Sequence, residues 1–161
     1  MRILGIDPGR KYTGWVVMED YKLINYGCIE TAGIHYEHSF HYIIGGIKMH
    51  LWNYCNRGLD VELACERAFK SPGLNTAALQ VVVQCIKEWA KRCKLPLAMY
   101  SSTEWKKSLT GNSKADKGEV ARCVRIHYPE LPEDTSEHVY SAIGIAMNHQ
   151  NVRQLESMAM K

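Results

Sequence analysis

Met1-Arg-Ile-Leu-Gly-Ile-Asp-Pro-Gly9, continued through Thr13-Gly14-Trp15, is the stretch on which the fold turns. Apolar residues flank Gly5 from Ile3 to Ile6, a single carboxylate follows at Asp7, and Pro8-Gly9 turns the chain at once. Proline presets one backbone angle and glycine accepts conformations that other residues avoid, so the pair is strong turn chemistry. A buried strand that ends in an acid and then turns holds that acid at the edge of a sheet, on a rigid support. Taken alone, the same residues describe a surface turn containing Asp equally well, and the rest of the chain has to decide.

Outward from that strand, Thr13–Met18 and Lys22–Glu30 are rich in Val, Ile, Tyr and Trp and read as strands, with Glu19-Asp20 as the hairpin turn. Phe40, Ile43, Ile44, Ile47, Leu51 and Tyr54 recur at helical spacing and predict an amphipathic helix over about 36–57, locally weakened at Gly45-Gly46. His35, His38 and His41 fall three apart near its start; without cysteine or carboxylate support they read as an exposed cluster and not a metal site. Asp60 to Glu66 is a fourth strand that again ends in an acid. Asn75 is placed to cap a helix through about Cys93, whose apolar face is Leu79, Val82, Val83, Ile86 and Ala90. Leu95–Tyr100 is a fifth strand, and Ser101-x-x-Glu104 is a capping-box signature opening a short helix with Trp105. Ser113 is read as the start of a helix through Tyr128, and Thr135 or Ser136 as the cap of a last helix from His138 to about Asn148. Residues from about 151 to 161 read as a polar tail. The expectation is one α/β domain spanning 1–161: a mixed five-stranded sheet, three antiparallel strands then two parallel, flanked by helices as in ribonuclease H-like domains.

Composition narrows the function. No apolar run approaches the roughly 20 residues that span a bilayer, and the chain opens straight into a strand, so the expectation is a cytoplasmic protein without a membrane partner. The six cysteines are scattered with no C-x-x-C pair, and are expected to be reduced and mostly buried. Net charge is +3, but Lys87–Arg125 carries ten Lys or Arg against four acids, a local excess that suits a polyanion partner. If the first and fourth strands are neighbours, Asp7 and Glu66 meet at one edge, where two carboxylates repel each other or bind a hard cation such as Mg²⁺.

These residues resemble the RuvC family of Holliday-junction resolvases across nearly the whole chain. The strongest motif is Ile3-Leu-Gly-Ile-Asp-Pro-Gly9 with Thr13-Gly14; Glu66 with Phe69, Trp105-Lys106-Lys107-x-x-x-Gly111, Lys114–Lys117 and Ala142-Ile-Gly-Ile-Ala146 follow in order. The resemblance implies a homodimer that makes symmetric, Mg²⁺-dependent incisions in four-way DNA junctions during recombination and repair. Mn²⁺ is expected to substitute, and no small-molecule cofactor is expected. By matching position, Asp7, Glu66 and His138 take metal-ligand roles, with two ions gripping the scissile phosphate. Lys106 and Lys117 fall near the cleaved phosphate and the DNA backbone, and Phe69 is placed to stack on opened bases. Arg10, Lys11, Lys70, Lys107, Lys114, Arg122 and Arg125 are candidates for DNA contact.

One position departs from the resemblance, which implies an aspartate where this chain has Ser141. A neutral hydroxyl supplies no charge against a divalent ion. Three readings compete: deliberate inactivation, which the otherwise complete site favours; takeover by Glu137 or Asp134, although Glu137 is turned about 100° from His138 on a helix; or natural binding without cutting. A bacteriophage member acting in an infected host's cytoplasm is one expected source. Gly-Ile-Asp-x-Gly-x-x-x-Thr also opens phosphate-binding strands in sugar kinases and actin-like ATPases, but those pair two such halves and need a longer chain.

Overall fold

The computed structural model describes residues 1–31, 38, 41–47, 49, 61–68 and 74–160. Five strands form one sheet: β1 (Arg2–Asp7), β2 (Tyr12–Glu19), β3 (Lys22–Glu30), β4 (Val61–Glu66) and β5 (Leu97–Tyr100). Their order is β3-β2-β1-β4-β5, antiparallel among the first three and parallel from β1 to β4 to β5. That is the mixed topology expected from the order of elements. The helices are α1 (residues 41–47), α2 (Leu74–Arg92), α3 (Ser102–Thr110), α4 (Lys117–His127) and α5 (Glu137–Ala159).

Alternation along the strands sorts the core into two layers, because successive side chains of a strand point to opposite faces. Leu4, Ile6, Trp15, Val17, Leu63 and Cys65 pack against Ile43, Ile44 and Ile47 of α1 and Val82, Ile86, Trp89 and Ala90 of α2. Ile3, Val16, Met18 and Ala64 point the other way, onto Trp105, Val120, Val124, Val139, Ala142, Ile143 and Ala146 of α3–α5. Burying each of these large side chains is worth roughly 1.5–3 kcal/mol. Helix α5 lies hard on the sheet. A Cβ at Gly5 would sit 2.4 Å from the Ala142 carbonyl oxygen, and one at Gly14 would stand on the His138 carbonyl. Backbone reaches backbone at both points only because neither residue has a side chain.

Several boundaries differ from expectation for local reasons. The hairpin turn is Asp20-Tyr21, both at positive φ (47° and 63°), one residue later than read, because strand pairing runs through Glu19↔Lys22. A two-residue loop with both φ positive matches the twist of the strands it joins. Helix α2 starts at Leu74, so Asn75 lies inside its first turn and does not precede it. Helix α4 starts at Lys117 and not near Ser113, because Asp116 and Glu119 close a capping box. The Ser101–Glu104 capping box forms as expected, and Ser136 caps α5 by accepting from the His138 amide.

Two further expectations are corrected. The polar tail is helix: α5 continues to Ala159, since no Gly or Pro falls between Asn148 and Ala159, and Arg153 pairs with Glu62 on the sheet and with Glu156 one turn along the helix. The cysteines are not mostly buried; of the five described, Cys65 is buried, Cys85 and Cys123 are partly covered, and Cys28 and Cys93 are exposed. Within the predicted helix over 36–57, residues 41–47 are helical, and Gly46 packs against Ile29. Phe40, Leu51, Tyr54, His35, Cys55, Phe69 and Lys70 lie outside the described residues; His38 and His41 are exposed. Among the described residues no helix is long and apolar enough to cross a membrane.

Candidate active site

Parity and register bring the two acids together. Strand β1 pairs with β4 through Ile6↔Cys65, which makes Asp7 and Glu66 the next residues of adjacent parallel strands. Asp7 shares its face with Gly5, and Glu66 shares its face with Ala64, so both carboxylates point toward α5. The N-terminus of α5 arrives at the same place, held down on Gly14. It delivers His138, whose Nδ1 lies 2.9 Å from Asp7 Oδ2. An imidazole that donates from Nδ1 to a carboxylate keeps its lone pair on Nε2 when neutral, so Nε2 is the atom left for chemistry. The Glu137 carboxylate stands 3.8 Å from that Nε2 and is ion-paired with Lys117 at 2.5 Å.

Glu66 is held by a residue of the core. Trp105 is 2% exposed and its Nε1 donates to Glu66 Oε2 at 2.8 Å. A buried indole N–H needs an acceptor, and here the acceptor is the site's own carboxylate. Lys106, the next residue, donates from Nζ to the Ala115 carbonyl at 2.8 Å and lies over the Trp105 ring.

The electrostatics are those of acids withdrawn from water. Burial raises the Asp7 carboxyl above its ordinary value, against the opposing pull of its bond to His138. Burial, with the charge of Asp7 second, pushes Glu66 up to about 7, while Trp105 and Lys106 work to lower it. His138 is raised by its hydrogen bond to Asp7, against the effect of burial. Two neighbouring carboxyls that resist ionisation are the expected result of desolvation and like charge. Among the described residues, no three His, Cys, Asp or Glu side chains are gathered at metal-holding geometry; Asp7 is turned to His138 and Glu66 to Trp105. The donor chemistry still fits one hard divalent cation, because such an ion would offset both the burial and the mutual repulsion of the two acids.

The comparisons agree on one family. A family model described as "Crossover junction endodeoxyribonuclease RuvC" matches residues 3–149. The chain belongs to the RuvC family. Relatives bearing that same description include one from Bradyrhizobium sp. (strain BTAi1), 30% identical over all of this chain and 93% of the relative. One from Cutibacterium acnes is 31% identical over 88% of this chain and 76% of the relative, and one from Shewanella sediminis is 29% identical over 94% and 88%. They are named as enzymes, and this RuvC-family chain therefore belongs to an enzyme family of crossover junction endodeoxyribonucleases. Among solved structures, Thermus thermophilus RuvC in complex with a Holliday junction substrate has a TM-score of 0.80 over 97% of this chain and 96% of that one, at 21% identity. That likeness establishes the shared ribonuclease H-like fold.

The other candidate residues of this RuvC-family chain divide by what they already bind. Lys117 sits at the rim, paired with Glu137 and close enough to act on Asp7 and His138. Glu137 therefore belongs to the site's border and is not turned away as helix geometry alone suggested. Ser141 is partly covered on α5, one turn after His138, and Asp134 is exposed in the preceding loop. Arg10, Lys11, Lys107, Lys114 and Arg122 are exposed; Lys114 lies in the loop before α4. Arg125 is already engaged within the fold. Its guanidinium donates to the carbonyls of Leu131, Pro132 and Glu133 and lies over the Tyr140 ring, so it fastens the loop before α5.

Two residues were missed altogether. Tyr12 stacks on the His138 ring, with centroids 5.9 Å apart and planes inclined by 26°. Strand parity could have found it, since Tyr12 shares a face with Gly14. Glu62 was passed over too. It accepts from Arg153 at 2.6 Å and meets His149 Nε2 at 2.8 Å, while His149 Nδ1 meets the Tyr100 hydroxyl at 2.7 Å. That network closes the far end of the α5–sheet contact.

Proposed function

We propose that this chain binds four-way DNA junctions as a homodimer and hydrolyses phosphodiesters at the Asp7–Glu66–His138 site with a divalent cation, Mg²⁺ by donor chemistry and Mn²⁺ as substitute. The observation that carries the reading is the meeting of two desolvated, mostly covered carboxyls and an imidazole at the carboxyl ends of β1 and β4. Family membership and the junction-bound relative support branched DNA as the partner.

Asp7 and Glu66 would hold the cation through carboxylate oxygens, with His138 Nε2 beside them, and such an ion would supply Lewis acidity toward the phosphodiester and an attacking water. The protein contributes the rest. Helix α5 aims its positive N-terminus at the site, which favours an incoming phosphate. Lys106 and Lys117 offset negative charge that builds on the phosphoryl oxygens. Exposed Arg10, Lys11, Lys107, Lys114 and Arg122 position the backbone without reading sequence, and Phe69 and Lys70 are assigned to opened bases and backbone from the resemblance alone.

Ser141 weakens the site. It leaves two carboxylates, with Glu137 at the border already committed to Lys117, so cutting is slow relative to binding. The same residue favours a second reading, a junction-binding protein that does not cut. Labelled four-way junction and linear duplex, incubated with the native chain and with Ser141→Asp in Mg²⁺, Mn²⁺ or EDTA, separate the two. Metal-dependent junction cleavage that rises at least tenfold in Ser141→Asp supports the nuclease. Tight junction binding with no cleavage by either protein supports the second reading.

A further inference from the structure

We propose that Tyr12 is a positioning residue for His138: its ring fixes the plane of the imidazole so that Nδ1 stays on Asp7 and Nε2 faces the site. The inference rests on the reading of His138 given above and adds a residue that neither the family match nor the motif assigns.

Four contacts enclose the imidazole. Asp7 Oδ2 takes the Nδ1 edge at 2.9 Å. Gly9 lies behind the ring, since a Cβ there would come within 3.7 Å of His138 Cε1. The backbone of residue 138 is pinned on Gly14, where a Cβ would overlap the His138 carbonyl. Tyr12 covers one face in a near-parallel stack at 5.9 Å, within the range in which aromatic pairs attract and prefer offset packing. Without it, the face of the ring is open and rotation about the Cβ–Cγ bond is opposed by a single hydrogen bond. A reacting group must be held within about 10–20° of its productive direction, and one hydrogen bond is a poor restraint on a ring plane.

Tyr12 is itself held for this task. It begins β2 directly opposite Glu30 of β3, and its hydroxyl donates to Glu30 Oε1 at 3.2 Å. Tyr12 is 39% exposed, so it contributes little to the core, and a tyrosine there is hard to explain by packing. Glu30 tethers the far end of the phenol while the ring face meets His138. The support is therefore built across two strands, and it lies on the side of His138 away from Glu66.

The test uses the full chain with Tyr12→Phe, which keeps the ring and loses the tether, and Tyr12→Thr, which keeps a strand-forming residue and loses the ring. Two readouts are taken: the imidazole signals of His138 in ¹⁵N-histidine-labelled protein, assigned with His138→Gln, and Mn²⁺ affinity by calorimetry. Tyr12→Phe is expected to retain the ring-current-shifted His138 protons and the Nδ1–H tautomer. Tyr12→Thr is expected to lose the shift, to mix the tautomers and to bind Mn²⁺ about tenfold more weakly, the scale of loss when a supporting partner of a metal ligand is removed. Unchanged His138 signals in Tyr12→Thr, or equal loss in both variants, overturn the proposal. A native chain that shows the shifted signals but takes up no Mn²⁺ supports the role of Tyr12 and overturns the metal reading instead.

Discussion

Trp105 and Glu66 are 39 residues apart and joined by an indole N–H donating to a carboxylate oxygen at 2.8 Å. The bond makes α3 part of the site: the largest buried side chain of that helix is also the orienting partner of one of the two acids. It is a supporting contact of the kind that sets the direction and basicity of a metal-binding group.

Replacing Trp105 by Phe keeps an aromatic ring and removes the donor. Glu66 then loses the hydrogen bond that works against its raised pKa. The expected result is roughly tenfold weaker Mn²⁺ binding at pH 7, largely recovered at pH 9, where Glu66 ionises without help. Calorimetry across that pH range checks it. An equal loss at both pH values would mean that ring packing, and not the hydrogen bond, is what Trp105 contributes.

Glu66 is expected to make the metal-free protein less stable as pH rises. Its folded value is about 7 against an ordinary 4.5, so the unfolded chain gives up its proton first. Stability from this group is full below about pH 4.5 and is lost as pH climbs to about 7, a difference of up to about 3 kcal/mol. Glu66→Gln removes the ionisation and retains an oxygen to accept from Trp105. In EDTA it should match the native chain near pH 5 and exceed it by about 1–3 kcal/mol at pH 8. Thermal or urea unfolding at the two pH values measures this, and added divalent cation should stabilise the native chain alone.

Glu62 is expected to act in the opposite sense. Burial would raise its carboxyl, but the bonds from Arg153 and His149 outweigh burial and hold it below the ordinary value. A depressed folded pKa contributes stability that is present above about pH 4.5 and disappears as pH falls below it. Glu62→Gln should therefore cost about 1–3 kcal/mol at pH 7 and flatten the acid limb of the stability profile. Cleavage or junction binding at 25 °C should hardly change, because Glu62 lies at the opposite end of β4 from Glu66.

Gly14→Ala should be among the most damaging small substitutions in the chain. Its Cβ would overlap the His138 carbonyl, and the only relief is to lift α5 from the sheet and separate His138 from Asp7. A loss of about 3 kcal/mol or more is expected, at or beyond the usual cost of overpacking. Gly45→Ala is the control. It lies in α1, where a Cβ meets nothing within 4 Å among the described residues, and should stabilise by about 0.5–1 kcal/mol. Chemical denaturation of the two variants tests the pair.

Much of the fold was legible because it rests on local rules. Strand parity, the Ser101–Glu104 capping box and the helical spacing of Ile43, Ile44 and Ile47 all concern residues a few positions apart, and each came out as read. Boundaries slipped where two local signals competed. Ser113 lost to the Asp116–Glu119 box at the start of α4, and the polar composition after Asn148 masked a helix that Arg153 and Tyr21 tie to the sheet.

What the sequence determined by itself is that two acids end strands of one sheet and that His138 opens the helix meant to meet them. Register then puts Asp7 beside Glu66, and the near contact of α5 with Gly5 and Gly14 brings the imidazole to Asp7. Only the tertiary structure decided the partners: Trp105 for Glu66, Tyr12 for His138, Glu137 for Lys117, and three carbonyls for Arg125. The reason is physical. Periodicity states which face a side chain takes, whereas a hydrogen bond at 2.8 Å depends on how closely a helix settles on the sheet, and in this chain two missing Cβ atoms set that distance.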